Sequence, residues 1–169
     1  VPTGWFLIHS RRSAETFARK VETFTIQHGA LTAIGGGGTG LGSGLAYALA
    51  MINNNKIEAT RRIVDISGDG PETIPWQKEA IMLPQARAIA KTLKVTVNGL
   101  AIETDIPSLT SYYRNNVVVG PGSFAMSARN FTDYKRAIKK KLLRELSPVA
   151  IGRAEPANDS GRQTNSNRP

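Results

Sequence analysis

Seven of the ten residues at positions 35–44 are glycine, and the run leads straight into the apolar pattern Leu45, Ala46, Ala48, Leu49, Ile52. That spacing is helical, so a glycine-rich turn opens a helix here. Glycine permits positive φ and lets a ligand approach the main chain, and a helix start carries unpaired N–H groups. Such a loop can hold an anion or a metal. It can equally be a tight connection that lets the helix pack closely on a sheet, and the loop residues alone leave both readings open. Thr39 places a hydroxyl within the glycine run. The helix is expected over residues 41–53, ended by the cluster Asn53, Asn54, Asn55.

Upstream, residues 4–8 (Gly-Trp-Phe-Leu-Ile) read as the end of a buried strand, and Ser10 or Ser13 as the cap of a helix with Ala14, Phe17, Ala18 and Val21 on one face. Downstream, Ile63, Val64 and Ile66 form a short apolar run that stops at Gly68-Asp69-Gly70. The simplest reading is a buried strand whose carboxyl end delivers Asp69 into a loop, where ligands bind in open α/β sheets. A less regular connection containing Trp76 precedes a helix carrying Ala86, Ile89, Ala90 and Leu93. Residues 95–102 give another strand, residues 109–113 a short helix, and Gly120-Pro121-Gly122 a loop between the extended segments 117–119 and 124–126. The last helix is expected over residues 130–146 with Asn130 as its cap, and disorder from about residue 153, with 149–169 a basic and polar tail. Strands alternating with helices imply an α/β domain with a largely parallel, helix-flanked sheet.

The bulk composition removes several function classes. Without cysteine there are no disulfides or thiolate metal sites, and only His9 and His28 carry imidazoles. No run approaches the roughly 18 apolar residues of a membrane span. The net charge of +9, from 22 basic against 13 acidic residues, favours acidic partners. The densest basic run, Lys135, Arg136, Lys139, Lys140, Lys141 and Arg144, shares a helix with Phe131, Tyr134, Ile138, Leu142 and Leu146 at helical spacing. The apolar set is therefore expected to be the buried stripe and all six charges to face solvent, which argues against a nucleic-acid surface.

Two motifs in a fixed order carry a resemblance. Gly-Gly-Gly-Thr39-Gly-Leu-Gly-Ser-Gly-Leu opening a helix, then Ile-Ser-Gly-Asp69-Gly after the next strand, resembles the second and third loops of the metal-ion-dependent adhesion site in von Willebrand factor A domains. The segment 61–71, Val97-Asn98-Gly99-Leu100-Ala101-Ile102, Tyr112-Tyr113-Arg114 and the segment 120–124 look like one bacterial branch of that superfamily, whose members have no assigned function. The resemblance spans roughly residues 5–146 and implies a Rossmann-like fold, with a divalent cation at the carboxyl edge of the sheet completed by an acidic group of a protein partner. By position Thr39 would offer its hydroxyl and Asp69 its carboxylate, and such oxygen ligands suit Mg²⁺ or Mn²⁺ more than zinc.

The family's Asp-x-Ser-x-Ser motif would precede the glycine loop, and it does not occur there. Asp65-Ile66-Ser67-Gly68-Asp69 imitates it but follows the loop and has aspartate where the second serine belongs. Residues 1–148 are therefore expected to correspond to the later two-thirds of such a domain. With the family's central strand missing, backbone groups of its neighbours would be unpaired, and two ligands would bind metal weakly or not at all. The function implied is a non-enzymatic interaction module with an incomplete metal site. No nucleophile, base and orienting group stand in a recognisable arrangement. The alternative is a nucleotide-binding α/β enzyme using Gly35-x-Gly37-x-x-Gly40, a formal match to the dinucleotide fingerprint that lacks a clear preceding strand and has only Glu58 as the later acid. Asp65 can bond a neighbouring loop instead of a metal, and Trp76, Tyr112 and Tyr113 are expected in packing more than in partner contact.

Overall fold

The computed structural model describes residues 4–28, 39–73 and 80–147. Its elements run α1 (Arg11–His28), α2 (Leu41–Asn54), β1 (Ile63–Gly68), α3 (Leu83–Thr92), β2 (Thr96–Ile102), α4 (Leu109–Tyr112), a π turn (Tyr113–Val117), β3 (Ala125–Ala128) and α5 (Phe131–Leu146). The strands form a parallel sheet in the order β1-β2-β3, with Ile63 opposite Thr96 and Gly99 opposite Ala125. This is the α/β, parallel, helix-flanked architecture expected from the alternation of patterns.

The central strand β2 is buried on both faces, and its alternation sorts the two cores. Val97 and Ala101 belong to the core formed with α2, α3, Tyr113 and Val117, whereas Leu100 and Ile102 pack with Ala128, Ala137 and the half-buried Tyr134 and Ile138 of α5. β1 occupies one edge of the sheet and has a single neighbour among the described residues. Val64 and Ile66 join the first core, while Asp65 and Ser67 point to the side that carries α5.

Helix α2 approaches α3 closely because Gly42 has no side chain. A Cβ there would lie 2.3 Å from the Ile81 carbonyl oxygen and 2.4 Å from the Leu83 nitrogen, both backbone atoms. Gly44, two residues on, faces open space. Helix α3 starts with Pro84 in its first turn, where a missing N–H costs nothing, and Gln85 Oε1 accepts from the Met82 N–H at 3.1 Å.

Three expectations are corrected. Residues 4–8 form no strand: the segment pairs with none among the described residues, and Trp5, Leu7 and Ile8 are exposed. Helix α1 forms, with Ser10 Oγ accepting from the Ser13 N–H at 3.2 Å, but Ala18 and Val21 are exposed and Phe17 meets Phe6 at 5.3 Å between ring centroids. Val117, expected in an extended segment, instead closes the π turn, while Val119 makes an isolated antiparallel bridge to Val97.

A fourth correction concerns α5. Asn130 caps it as expected, its Oδ1 accepting from the Asp133 N–H at 2.9 Å. Its buried face, however, is Ala137, Lys141 and Glu145 beside Tyr134 and Ile138, while Phe131, Leu142 and Leu146 are exposed. Lys141, expected in solvent, is fully buried. The cause lies in the sheet: near the amino ends of the strands its α5 face carries Asp65 and Asn98, which need polar partners. Leucine at the position of Lys141 would leave the carboxylates of Asp65 and Glu145 without their counter-charge.

Residues 35–38, Trp76 and the tail from residue 148 lie outside the described residues.

Candidate functional site

At the carboxyl end of β1 the ladder stops at Gly68, paired with Ala101, and the chain turns through Asp69 and Gly70. The turn is held from below by Tyr113, which is fully buried. A Cβ on Gly68 would sit 2.5 Å from the Tyr113 hydroxyl, and one on Gly99 2.8 Å from Tyr113 Cδ1, so two glycines on adjacent strands make the space for this ring. Burial first, then the nearby Asp69 charge, pushes the Tyr113 hydroxyl up to about 12. It therefore stays protonated and donates to the Gly70 carbonyl at 3.5 Å.

The glycine loop reaches the same place from the start of α2. Thr39 N–H donates to Thr73 Oγ1 at 2.9 Å, and the Thr73 N–H returns a bond to the Thr39 carbonyl at 2.9 Å. These two bonds tie the loops together. They bring the Thr39 hydroxyl against Gly70, where a Cβ would lie 2.8 Å from Thr39 Oγ1. The two residues singled out from sequence, Thr39 and Asp69, thus stand on two loops that converge at the carboxyl edge of the sheet. Asp69 is exposed, beside a shallow depression of about 250 Å³ that it shares with Ser67, Ile102, Phe131 and Tyr134.

Glu72 is a second acidic group at this edge, and sequence reasoning missed it. Its Oε2 accepts from the Gly42 N–H in the first turn of α2 at 2.9 Å, and its own N–H donates to the Tyr112 hydroxyl at 3.0 Å. Its Oε1 is buried with no hydrogen-bond partner. The carboxylate occupies the positive end of α2, so an anion there would meet a like charge. The side chains of Thr39, Asp69 and Glu72 carry oxygen donors, the type that suits a hard cation. Among the described residues, no three histidine, cysteine, aspartate or glutamate side chains group closely enough to hold a metal by themselves.

Residues 1–150 match the family model described as "Protein of unknown function (DUF1194)". The chain belongs to that family. Neither the curated proteins nor the solved structures contain a match to it.

In this DUF1194 chain Asp65 stands apart from the loop site. It lies within β1 and ion-pairs with Lys141 of α5, which also meets Glu145 Oε1 at 2.6 Å. Asn98 Nδ2 donates to the same Glu145 oxygen at 2.9 Å, and Asn98 Oδ1 accepts from the Phe124 N–H at 3.1 Å. Burial, with a hydrogen bond to Glu145, pushes Asp65 up to about 6 against the pull of Lys141. Burial also raises Glu145, but hydrogen bonds from Asp65, Lys141 and Asn98 bring it below its ordinary value. Asp65 is thus the member of the pair that takes the proton. The network joins sheet to helix. His9 lies in the exposed segment before α1, and no helix among the described residues is long and apolar enough to cross a membrane.

Proposed function

We propose that this DUF1194 domain is a non-enzymatic protein-interaction module of the von Willebrand A type. In it Thr39 and Asp69 form part of a cation site that an acidic group of a partner protein completes. The observation that carries the reading is the convergence of the Thr39 loop and the Gly68-Asp69-Gly70 turn at the carboxyl edge of a parallel sheet. Both residues offer hard oxygens, which suit Mg²⁺ or Mn²⁺, and an ion held by so few protein groups keeps most of its water. An acidic side chain from outside can replace one of those waters, which links cation binding to partner binding. The alternative, a nucleotide enzyme with phosphates on the glycine loop, is disfavoured by Glu72, whose carboxylate already accepts from the first turn of α2.

Calorimetric titration of the full chain with MgCl₂ and MnCl₂ tests this. The expected dissociation constant is on the order of 10⁻⁴–10⁻³ M or weaker, and the heat is lost in Thr39→Ala and in Asp69→Asn. Cation binding indifferent to both substitutions would place the ion elsewhere and end the proposal. So would micromolar binding of ATP or NAD that disappears with Thr39→Ala, because it would put phosphates on the loop.

A further inference from the structure

The opposite end of the sheet holds a cleft that the interaction reading leaves without a role. It has a volume of about 690 Å³ and is bounded by the residues leading into β1, the start of β2, the turn at Gly120 and the end of α5. That volume is in the range of small-molecule sites. Ile63 and Phe124 give it apolar walls, and five cations line it: Arg61, Arg62, Lys91, Lys94 and Arg144.

None of these five has a carboxylate partner among the described residues. The acid in the lining, Glu145, is already engaged by Lys141 and Asn98. Two helices end here, and their carbonyls would repel an anion. An arginine meets each end, since Arg61 Nη2 donates to the Glu145 carbonyl at 2.9 Å and Arg62 Nη2 donates to the Leu93 carbonyl, which offsets part of that repulsion. Each guanidinium has five N–H donors, so one bond to a carbonyl leaves most of its capacity. Arg144 is braced over the Phe124 ring at 3.8 Å, while the Lys91 and Lys94 side chains make no hydrogen bond or ion pair among the described residues. Apolar walls with a rim of uncompensated cations suit an anion with an organic body.

We propose that this cleft binds a small phosphate-bearing organic anion, with Lys91, Lys94 and Arg144 meeting the phosphate and Ile63 and Phe124 the organic part. The multiple negative charge of a phosphate matches several cations at once, and guanidinium groups suit its geometry.

The test is calorimetry on the full chain at low ionic strength, with inorganic phosphate, tripolyphosphate and phenyl phosphate as probes. Tripolyphosphate is expected to bind saturably at one site, and Lys91→Gln/Lys94→Gln to weaken it about tenfold or more. The control Lys135→Gln/Lys139→Gln removes the same charge from exposed positions of α5 and is expected to leave the affinity within about twofold. Phenyl phosphate is expected to bind several-fold more tightly than inorganic phosphate. Absence of saturable binding, or equal weakening in the two double variants, would overturn the site and reveal only the general attraction of a chain with net charge +9. Equal affinity for phenyl phosphate and phosphate would overturn the organic class. The four lysines are exposed, so the variants are expected to keep the far-ultraviolet circular dichroism of the parent. Cation binding through Thr39 is read separately, so failure of either proposal leaves the other standing.

Discussion

Replacing Lys141 by methionine isolates the contribution of the buried charge network. Methionine keeps an unbranched stem of similar length, so the packing change is small and the perturbation is mainly the lost ammonium. That ammonium is inaccessible to solvent, and it contacts Asp65 Oδ1 and, at 2.6 Å, Glu145 Oε1. The Glu145 side chain is 7% exposed and would keep the Asn98 amide and Asp65 but no counter-charge, whereas the Asp65 side chain is 30% exposed and can recover part of its hydration. Breaking a fully buried ion pair costs about 3–5 kcal/mol, and partial solvation of one partner lowers the expected loss to about 2–4 kcal/mol. With a urea m-value on the order of 2 kcal/mol/M, the midpoint falls by about 1–2 M. Adding Glu145→Gln removes the stranded charge and should restore about half of the loss or more. Urea is the right denaturant, since it does not screen charges. A loss below about 1 kcal/mol, or a double variant no more stable than Lys141→Met, would refute the network as a determinant of stability.

Two further outcomes follow from the geometry. The native pKa of Asp65, about 6, lies above its ordinary 3.8, so the folded state binds this proton more tightly and stability should rise as pH falls from about 7 to about 5. Glu145, held below its ordinary 4.5, opposes this only at lower pH; urea midpoints at pH 7.5 and 5 should therefore converge in Asp65→Asn, and an unchanged pH dependence would refute the assignment. The glycines of α2 give a matched pair. Gly44→Ala should stabilise by about 0.5–1 kcal/mol through helix propensity, whereas Gly42→Ala should destabilise by about 1–3 kcal/mol despite the same gain, because its methyl meets backbone atoms; equal thermal shifts would contradict the packing.

The candidate site was partly legible in the sequence. Thr39 in a glycine run and Asp69 after an apolar strand are local signals, and the alternation of strand and helix implied that both lie at one edge of a sheet. Glu72 carried no such signal, because its role depends on Gly42, which faces it only once α2 and β1 pack together. Residues 4–8 misled for a related reason. An apolar run states that a segment is able to be a strand, and pairing decides whether it is one.

Helix α5 shows most clearly where periodicity stops. The helix, its Asn130 cap and its approximate ends could all be read from local chemistry, since each depends on residues within a few positions of one another. Its orientation could not. The apolar set containing Leu142 and Leu146 and the mixed set containing Ala137, Lys141 and Glu145 each recur with helical spacing, and hydropathy favours the first. Packing selected the second, because the surface beneath it is Leu100 and Ala128 at one end and Asp65 and Asn98 at the other. Local sequence thus determined the helices and their caps, since backbone propensity and capping act over one or two turns, while strand pairing at residues 4–8 was not local. The tertiary structure alone decided which face of α5 was buried, since a desolvated charge is stable only where its counter-charge, brought from a distant part of the chain, meets it.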